Sequence, residues 1–376
     1  MLECLLSLLS LWFACVSLGH SVFSKTKVVE DSEKNVSQLI TSFGYPVQEF
    51  TVRTEDSYLI MIQRIPHGRR PTPEPWHGKP VAFLMTALVC SSADFVLNKP
   101  DQSLGFILAD HGFDVWLGNV RGNFYSKHAR LKRRQRKFWD FSFDEMIKYD
   151  LPSQIDTILH ETKQNSLLYL GWSQGSLIMF GLLSSQPRYN QKVRLFNALG
   201  PVAFLGHIKS NIKHAVPFGG FLGTRFPVYV SNNPSGSSVR NIFHFSQAEP
   251  PQYDIRKVTA PVALYWSDGD VMSCEQDVKR LERLLPNLVL SYKVPVHGFT
   301  HIDFAWSIFA KNHVYKKILE MMIKYSGMEP RVAQHHSLRS QRGHHASSGA
   351  SKAHAPWSTA SFLQPQHLST SQDHFV

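Results

Sequence analysis

Short apolar runs alternate along the chain with segments whose apolar residues recur every three to four positions. In two early segments, residues 48–53 and 58–64, polar and apolar residues alternate on either side of a polar turn, which predicts a β-hairpin. A run without polar positions is instead typical of a strand that is buried on both faces, as in a parallel sheet. Six such runs predict strands at residues 80–85, 113–117, 167–170, 193–199, 261–266 and 288–294.

The segments between these runs have the period of an amphipathic helix. Strands that alternate with helices are joined by right-handed crossovers, so the pattern predicts an α/β fold with a mostly parallel central sheet and helices on both faces. The predicted helices cover residues 36–43, 102–111, 152–162, 174–185, 237–247, 276–285 and 313–325.

The two ends of the chain depart from this pattern. Residues 1–19 form a leucine-rich stretch that ends in small residues, which is typical of a secretory signal peptide; a membrane anchor is the alternative, although the run is short for a bilayer span. Residues 328–376 are rich in Ser, His and Gln without an apolar period, which predicts disorder. Residues 20–327 are the predicted folded domain, and they contain no further segment apolar enough to cross a membrane.

Amino-acid composition excludes fewer classes of function than the pattern of hydrophobic residues does. With 43% hydrophobic and 18% charged residues the chain is typical of a globular protein. The formal net charge of +11 raises the question of nucleic acid, but much of it lies in the basic run 130–137 and in the tail, and no nucleic-acid-binding module accompanies it. We interpret the run as a solvated loop, with contact to anionic lipid headgroups or dibasic processing as alternatives.

Two features fit passage through the secretory pathway. Only Cys90 and Cys274 lie outside the predicted signal peptide, so at most one disulfide is expected. Asn35 begins an Asn-Val-Ser sequon, which predicts a glycosylated surface position.

The third apolar run ends in Gly171-Trp172-Ser173-Gln174-Gly175, and a helical pattern begins at once. This strand, turn and helix match a nucleophile elbow, in which glycines keep side chains out of a crowded turn while the serine takes a strained backbone conformation. Ser173 is the predicted nucleophile. An ordinary turn that contains Ser and Gly is the alternative.

A serine nucleophile needs a histidine base, and the histidine needs a carboxylate to orient it. In this fold they follow the serine in the order acid, then histidine, each after a late strand. The run at 261–266 is followed by Asp268 and Asp270; we predict Asp270 as the acid, with Asp268 as the alternative. The final run is followed by His297 and His301, at least one of which is expected to be catalytic.

Besides the serine elbow, several short blocks of sequence are informative: residues 35–40, 44–46, 64–68, 90–94, 114–119, 121–123, 141–146 and 149–152. Through these blocks, from residue 35 to about residue 325, the chain resembles the acid lipases of gastric and lysosomal type, a family of the α/β-hydrolase fold. The resemblance implies that Asp270 is the acid, because it matches the Gly-x-x-Asp motif of the family, and that His301 is the base, because His301-Ile302-Asp303-Phe304 matches its His-Leu-Asp-Phe block. It implies oxyanion-hole amides at Leu88 and Gln174, and no metal or cofactor.

The chain departs from the family pattern at four places. Thr86-Ala87-Leu88 stands where the family has His-Gly-Leu, Trp172 replaces the usual histidine before the serine, and two extra residues precede His301. The largest departure lies at residues 211–225, where a Gly-rich connector replaces a long helical cap. We therefore expect an α/β-hydrolase with a truncated cap around residues 205–226.

The resemblance implies a secreted or lysosomal serine hydrolase that cleaves carboxylic esters of acylglycerol or sterol type through an acyl-enzyme. Its expected partners are lipid esters and lipid interfaces, not nucleic acid. The alternative hypothesis is a catalytically silent or impaired lipase homologue, which is favoured by the change at Thr86-Ala87 and by the shortened cap.

Overall fold

The computed structural model describes residues 27–69, 78–204, 207, 225–245 and 253–328. The predicted signal peptide, the predicted disordered tail and nearly all of the predicted truncated cap lie outside the described residues.

The described residues contain a nine-stranded sheet at the centre of the fold, in the order β1-β2-β4-β3-β6-β7-β8-β9, with the short β5 paired to β2. β1 and β2 form an antiparallel hairpin, and β2 joins β4 antiparallel; from β4 to β9 all neighbours are parallel. The strands are β1 Gln48–Arg53, β2 Tyr58–Ile65, β3 Val81–Met85, β4 Asp114–Gly118, β5 Ser126–His128, β6 Leu167–Trp172, β7 Val193–Leu199, β8 Val262–Trp266 and β9 Leu288–Lys293.

Two apolar cores lie on the two faces of this sheet. Alternate residues of one strand enter different cores: Val81, Phe83 and Met85 of β3 belong to one, and Ala82 and Leu84 belong to the other. Because β3, β4, β6 and β8 are buried along their whole length, these strands have no polar alternation. The predicted α/β fold with a mostly parallel sheet is confirmed.

Helices cover both faces and supply the second wall of each core. α2, α3 and α11 contribute to the core that contains Ala82 and Leu84, and α5, α6 and α9 contribute to the core that contains Val81, Phe83 and Met85. The helices are α1 Lys27–Ser32, α2 Val36–Ser42, α3 Leu104–Asp110, α4 Phe143–Glu145, α5 Leu151–Thr162, α6 Gln174–Ser185, α7 Phe226–Asn232, α8 Val239–Phe245, α9 Glu275–Leu284, α10 Asp303–Trp306 and α11 Lys316–Ser326.

Several elements differ from the sequence-based expectation. The helix expected to begin at Pro152 begins at Phe143, where Ser142 and Glu145 form a capping box, and it runs through a π-helical segment, Met146–Asp150. Proline is typical of a first helical turn, which explains the late predicted start. β5, with three residues, and α1, with six, are too short to show a period, and α7 was also not predicted. None of the helices in the described part of the chain is both long and apolar enough to cross a membrane.

Candidate active site

Ser173 lies at the turn between β6 and α6, as the motif predicts. Its backbone adopts φ 55° and ψ −116°, a conformation that is costly for a residue with a side chain. Its amide donates a hydrogen bond of 2.9 Å to the carbonyl of Leu199 at the end of β7, which fixes the strained turn to the neighbouring strand. The serine is therefore held at the carboxyl edge of the sheet, at the first turn of a helix.

The two glycines of the motif are required by close packing. A Cβ at Gly171 would stand 2.5 Å from the backbone of Gly175, and one at Gly175 would stand 2.4 Å from the carbonyl oxygen of Met85. The elbow thus packs directly against the end of β3. Any side chain at either position would push β6, α6 and the loop after β3 apart.

Asp270 and His301 meet in a buried pair. His301 Nδ1 donates to Asp270 Oδ2 over 2.7 Å, and the other carboxylate oxygen accepts the amides of Met272 and Ser273, each at 2.8 Å. Because the carboxylate accepts three hydrogen bonds, it orients the imidazole and fixes its tautomer, with the proton on Nδ1.

The alternative residues form a second pair, which is exposed. His297 Nδ1 lies 3.4 Å from Asp268 Oδ2, and the side chain of His297 is 97% exposed. Partial burial raises the pKa of Asp268, but the Gly298 amide and His297 outweigh it, so that this pKa is lowered overall. A solvated pair cannot hold a histidine in one orientation for catalysis, so the geometry favours Asp270 with His301.

With the proton on Nδ1, the second ring nitrogen of His301 is left with a lone pair that can accept a hydrogen bond. Nε2 is buried and has no hydrogen-bond partner among the described residues, so Ser173 does not form a hydrogen bond with it here. Catalytic hydrogen bonds are commonly long without substrate and shorten in the reacting complex. Trp172 Nε1 donates to the His301 carbonyl over 3.1 Å, which links the histidine loop to the residue before Ser173.

Thr86, which differs from the family pattern, binds a buried carboxylate. Its hydroxyl donates to Asp94 Oδ2 over 2.7 Å, and the same carboxylate accepts from the Ser91 amide, Asn233 Nδ2 and Trp306 Nε1. Burial raises the pKa of Asp94, and these four donors oppose the shift. The loop that carries Leu88 is thereby fixed at both of its ends.

Leu88 and Gln174, the predicted oxyanion-hole residues, occupy suitable elements. Leu88 is half-buried in the turn after β3, and Gln174 is the first residue of α6, where backbone amides have no acceptor within the helix. Val89, directly after Leu88, has φ 57°, and its carbonyl accepts the Ser235 amide over 2.6 Å. The assignment of these two amides remains a prediction.

Two residues at the site were missed by sequence reasoning. Gly200, at φ 49°, is so close that a Cβ there would stand 2.9 Å from the His301 ring and 3.1 Å from Asp270 Oδ2. Asn241 of α8 donates from Nδ2 to Gln174 Oε1 over 2.8 Å. Gly200 directly follows the apolar run of β7, which is a recognisable signal; nothing in the local sequence singles out Asn241.

The structure also shows where the sequon asparagine and the two cysteines lie, and whether possible metal ligands are grouped. Asn35 is exposed and caps α2 through its side-chain oxygen, which accepts the Gln38 amide. Cys90 and Cys274, the two cysteines of the described ranges, are buried thiols, and burial raises the pKa of Cys90 well above its usual value. Among the described residues no three His, Cys, Asp or Glu side chains are grouped as metal ligands.

Two family models match the chain. The model described as a partial alpha/beta-hydrolase lipase region matches residues 36–99, and the alpha/beta hydrolase fold model matches residues 103–249.

Similar proteins of known activity cover most of the chain. It is 35% identical to the gastric triacylglycerol lipase of Mus musculus over 380 residues, which cover 81% of this chain and 95% of the relative. It is also 35% identical to the lysosomal acid lipase/cholesteryl ester hydrolase of Homo sapiens, over 80% of this chain and 93% of that protein.

Solved structures agree on the fold at much lower identity. The naproxen esterase of Bacillus subtilis superposes with a TM-score of 0.51 at 14% identity, covering 80% of this chain and 99% of that one. A thermophilic esterase from Thermogutta terrifontis gives 0.52 at 13% identity, covering 74% and 99%. With the strained serine elbow and the buried Asp–His pair at one sheet edge, these similarities establish that the chain belongs to the gastric and lysosomal acid lipase family of the α/β-hydrolase fold.

Proposed function

We propose that this protein hydrolyses carboxylic esters of lipids, with Ser173 as nucleophile, His301 as base and Asp270 as the residue that orients His301. The observation that carries the proposal is the buried 2.7 Å contact between His301 Nδ1 and Asp270, at the sheet edge that also holds the strained Ser173. A strained serine and an oriented histidine at one edge are the parts that nucleophilic acyl transfer requires.

The reaction uses only groups of this chain and water. Ser173 Oγ attacks the ester carbonyl carbon while His301 Nε2 takes the hydroxyl proton; collapse of the tetrahedral intermediate breaks the bond to the alcohol, which leaves with that proton. Water then attacks the acyl-serine, gives a proton to His301, and releases the acid as Ser173 regains its hydrogen. Neither a metal nor a cofactor takes part in this scheme.

The developing oxyanion would be stabilised by the amides of Leu88 and Gln174. Amides aimed at a developing charge are worth several kcal/mol in general, since removing one donor costs about a hundredfold or more in rate. The bond from Asn241 to Gln174 and the contacts of Thr86 with Asp94 support this role, because they hold the two amide-bearing segments from opposite sides.

Acylglycerols and sterol esters are the proposed substrates, since the mouse relative is named a triacylglycerol lipase and the human one a cholesteryl ester hydrolase. By the same reasoning we propose a secreted or lysosomal location, glycosylation at Asn35 and peripheral contact with lipid interfaces.

A catalytically silent homologue is the second candidate. The alignment with the mouse relative has 380 positions but spans only 81% of this 376-residue chain, so the relative has residues without a counterpart here. This favours the truncated cap around residues 205–226 and, with Thr86-Ala87 in the oxyanion loop, a weakened site.

Hydrolysis of a short-chain p-nitrophenyl ester by the purified full chain separates the two candidates. The enzyme hypothesis predicts p-nitrophenol release that Ser173→Ala abolishes while the circular dichroism spectrum is unchanged. No release by the wild type, or equal release by the Ser173→Ala variant, would support the silent homologue.

A further inference from the structure

A dense run of positive charge lies beyond the carboxyl end of β4. Residues 127–137, here called the basic loop, contain seven Lys or Arg and no Asp or Glu. Six of the seven side chains are exposed, and no carboxylate of the described residues lies within ion-pair distance of them. The exposed cations are Lys127, Arg130, Lys132, Arg134, Arg136 and Lys137.

Two side chains, those of Arg133 and Trp139, anchor the basic loop to the fold. Arg133, the seventh cation, turns inward: its guanidinium donates to the carbonyls of Asn123 and Gly122, each at 2.8 Å, and stacks 4.8 Å from the Trp139 ring centre. Trp139 Nε1 in turn donates to the Arg133 carbonyl over 2.5 Å. The exposed cations therefore flank an inward-facing arginine that ties the basic loop to the segment after β4.

Exposed apolar side chains stand beside the basic loop. The side chain of Phe124 is 63% exposed, and Phe124 directly follows Asn123, whose carbonyl accepts a hydrogen bond from Arg133. The backbone amide of Phe124 donates a hydrogen bond of 3.1 Å to Ser235 Oγ. Val239, 66% exposed at the start of α8, follows Ser238, whose hydroxyl donates to the Phe141 carbonyl. Cations and apolar tips thus share one contiguous part of the surface.

This surface lies at the edge of the sheet that carries the candidate site. β4 and β6 are both parallel to β3, so the segments after β4 and after β6 leave the same edge, and Ser173 follows β6. α8 connects the two segments, since Asn241 binds Gln174 next to the serine.

We propose that the basic loop, with Phe124 and Val239, docks the protein on an anionic lipid surface. Cations attract anionic headgroups, and apolar tips enter the boundary between headgroups and acyl chains; the two contributions together give stable peripheral binding. The choice of a lipid surface over another polyanion rests on the proposed function, because the same edge would admit a lipid ester to Ser173.

Vesicle sedimentation of the full chain tests the surface. The lipids are diether phosphatidylcholine, alone or mixed with phosphatidylserine, so that hydrolysis does not interfere. The wild type should bind the mixed vesicles more tightly, and added salt should weaken this binding. Lys132→Gln with Arg134→Gln should lower the affinity about thirtyfold, since each cation near an anionic surface contributes roughly fivefold.

The matched control removes the same charge elsewhere. Lys257 and Lys324 are exposed and lie towards the amino edge of the sheet, since Lys257 precedes β8 and Lys324 is two residues from Ser326, whose carbonyl accepts Arg194 at the start of β7. Lys257→Gln with Lys324→Gln should leave vesicle binding within about twofold of the wild type, because a cation beyond a Debye length from the docked edge adds little. Melting temperatures check that both double variants are folded. Equal loss in the two double variants, or equal binding of the wild type to both kinds of vesicle, would overturn the proposal.

A further variant distinguishes lipid from nucleic acid. Phe124→Ser should weaken binding to mixed vesicles several-fold while any binding to a DNA duplex is unchanged. Tighter binding of the wild type to DNA than to vesicles, with no effect of Phe124→Ser on vesicles, would identify a polyanion site instead. Hydrolysis of the soluble ester is measured separately, so a silent active site would leave this inference standing.

Discussion

At the scale of single residues, the sequence offers two aspartates for the acid of the candidate site and two histidines for the base. Asp268 lies close to Asp270 in the sequence, and His297 lies close to His301, yet only Asp270 and His301 are buried together. Burial favours Asp270 and His301 as the catalytic pair, because a histidine held by a water-excluded carboxylate keeps one orientation, whereas His297 is solvated.

The two histidines can be separated by alanine substitution. We expect His301→Ala to lower kcat for a soluble ester about a thousandfold or more, since the serine loses its base. His297→Ala, with its side chain in solvent, should change kcat by less than about twofold. Steady-state kinetics of both variants measure this, and a large loss in His297→Ala alone would reverse the assignment.

Gly200 gives a second residue-scale prediction. Gly200→Ala places a Cβ 2.9 Å from the His301 ring at φ 49°, so we expect a loss of activity of at least about tenfold and a destabilisation of about 1–2 kcal/mol. Activity and urea unfolding are measured together, with Gly44→Ala as the control. Gly44 has φ 81° but nothing within 4 Å of a new Cβ, so it should lose stability without losing activity.

At the scale of elements, α8 is the segment that links the candidate site to the proposed docking surface. Its residue Asn241 is bonded to Gln174 and Ser237, and Arg240 pairs with Asp140 at 2.9 Å. The helix has only seven residues, so its position depends on these contacts more than on its own helical stability.

Asn241→Ala tests whether α8 positions the oxyanion segment. We expect kcat to fall about tenfold with little change in KM, because Gln174 loses a partner that matters most when charge develops on the substrate. Arg240→Ala, one residue earlier and facing solvent, is the control and should leave kcat within about twofold. An equal effect of both substitutions would indicate general loosening of the helix.

At the scale of the whole molecule, one buried cation joins distant parts of the fold. Arg121, after β4, binds Asp150 at the start of α5 and Asp56 in the β1–β2 turn, and its guanidinium stacks 4.2 Å from the Tyr58 ring centre. Despite desolvation, these two carboxylates raise the pKa of Arg121 above its usual value. The hairpin, the sheet and the helical layer are therefore coupled electrostatically.

Removing this cation should cost far more stability than removing an exposed one. Arg121→Met leaves the fully buried Asp150 without its counter-ion, so we expect a loss of about 3–5 kcal/mol in the free energy of unfolding. Arg240→Met breaks an exposed ion pair and should cost less than about 1 kcal/mol. Chemical denaturation gives both values, and similar midpoints would contradict the coupling.

The truncated cap that the sequence predicts around residues 205–226 leads to a prediction about access to the site. A lid that opens at an interface produces a sharp rise in rate when substrate droplets form. With too few residues for a helical cap, we expect the rate on a short-chain triglyceride to rise smoothly through its solubility limit. A jump at that limit would mean that another segment acts as the lid.

Local sequence was sufficient to predict the fold class and the strained turn at Ser173. Apolar runs and helical periods depend on which faces of an element are buried, and that requirement recurs within a few residues, so β3, β4, β6, β7, β8 and β9 could be located to within one or two positions. The elbow is equally local, because the strain at Ser173 and the close approach at Gly171 and Gly175 arise within one turn.

Only the tertiary structure determined the contacts between residues that are far apart in the chain. The pairing of Asp270 with His301, the approach of Gly200 to both, and the bond from Asn241 to Gln174 arise from the order of the parallel strands and the path of the loops at their carboxyl ends. The sequence of the basic loop likewise does not indicate that Arg133 faces inward while the neighbouring cations face solvent, because all of these side chains carry the same charge. The identity of a side chain determines which hydrogen bonds it can form, but the packing of the backbone determines which of them do form.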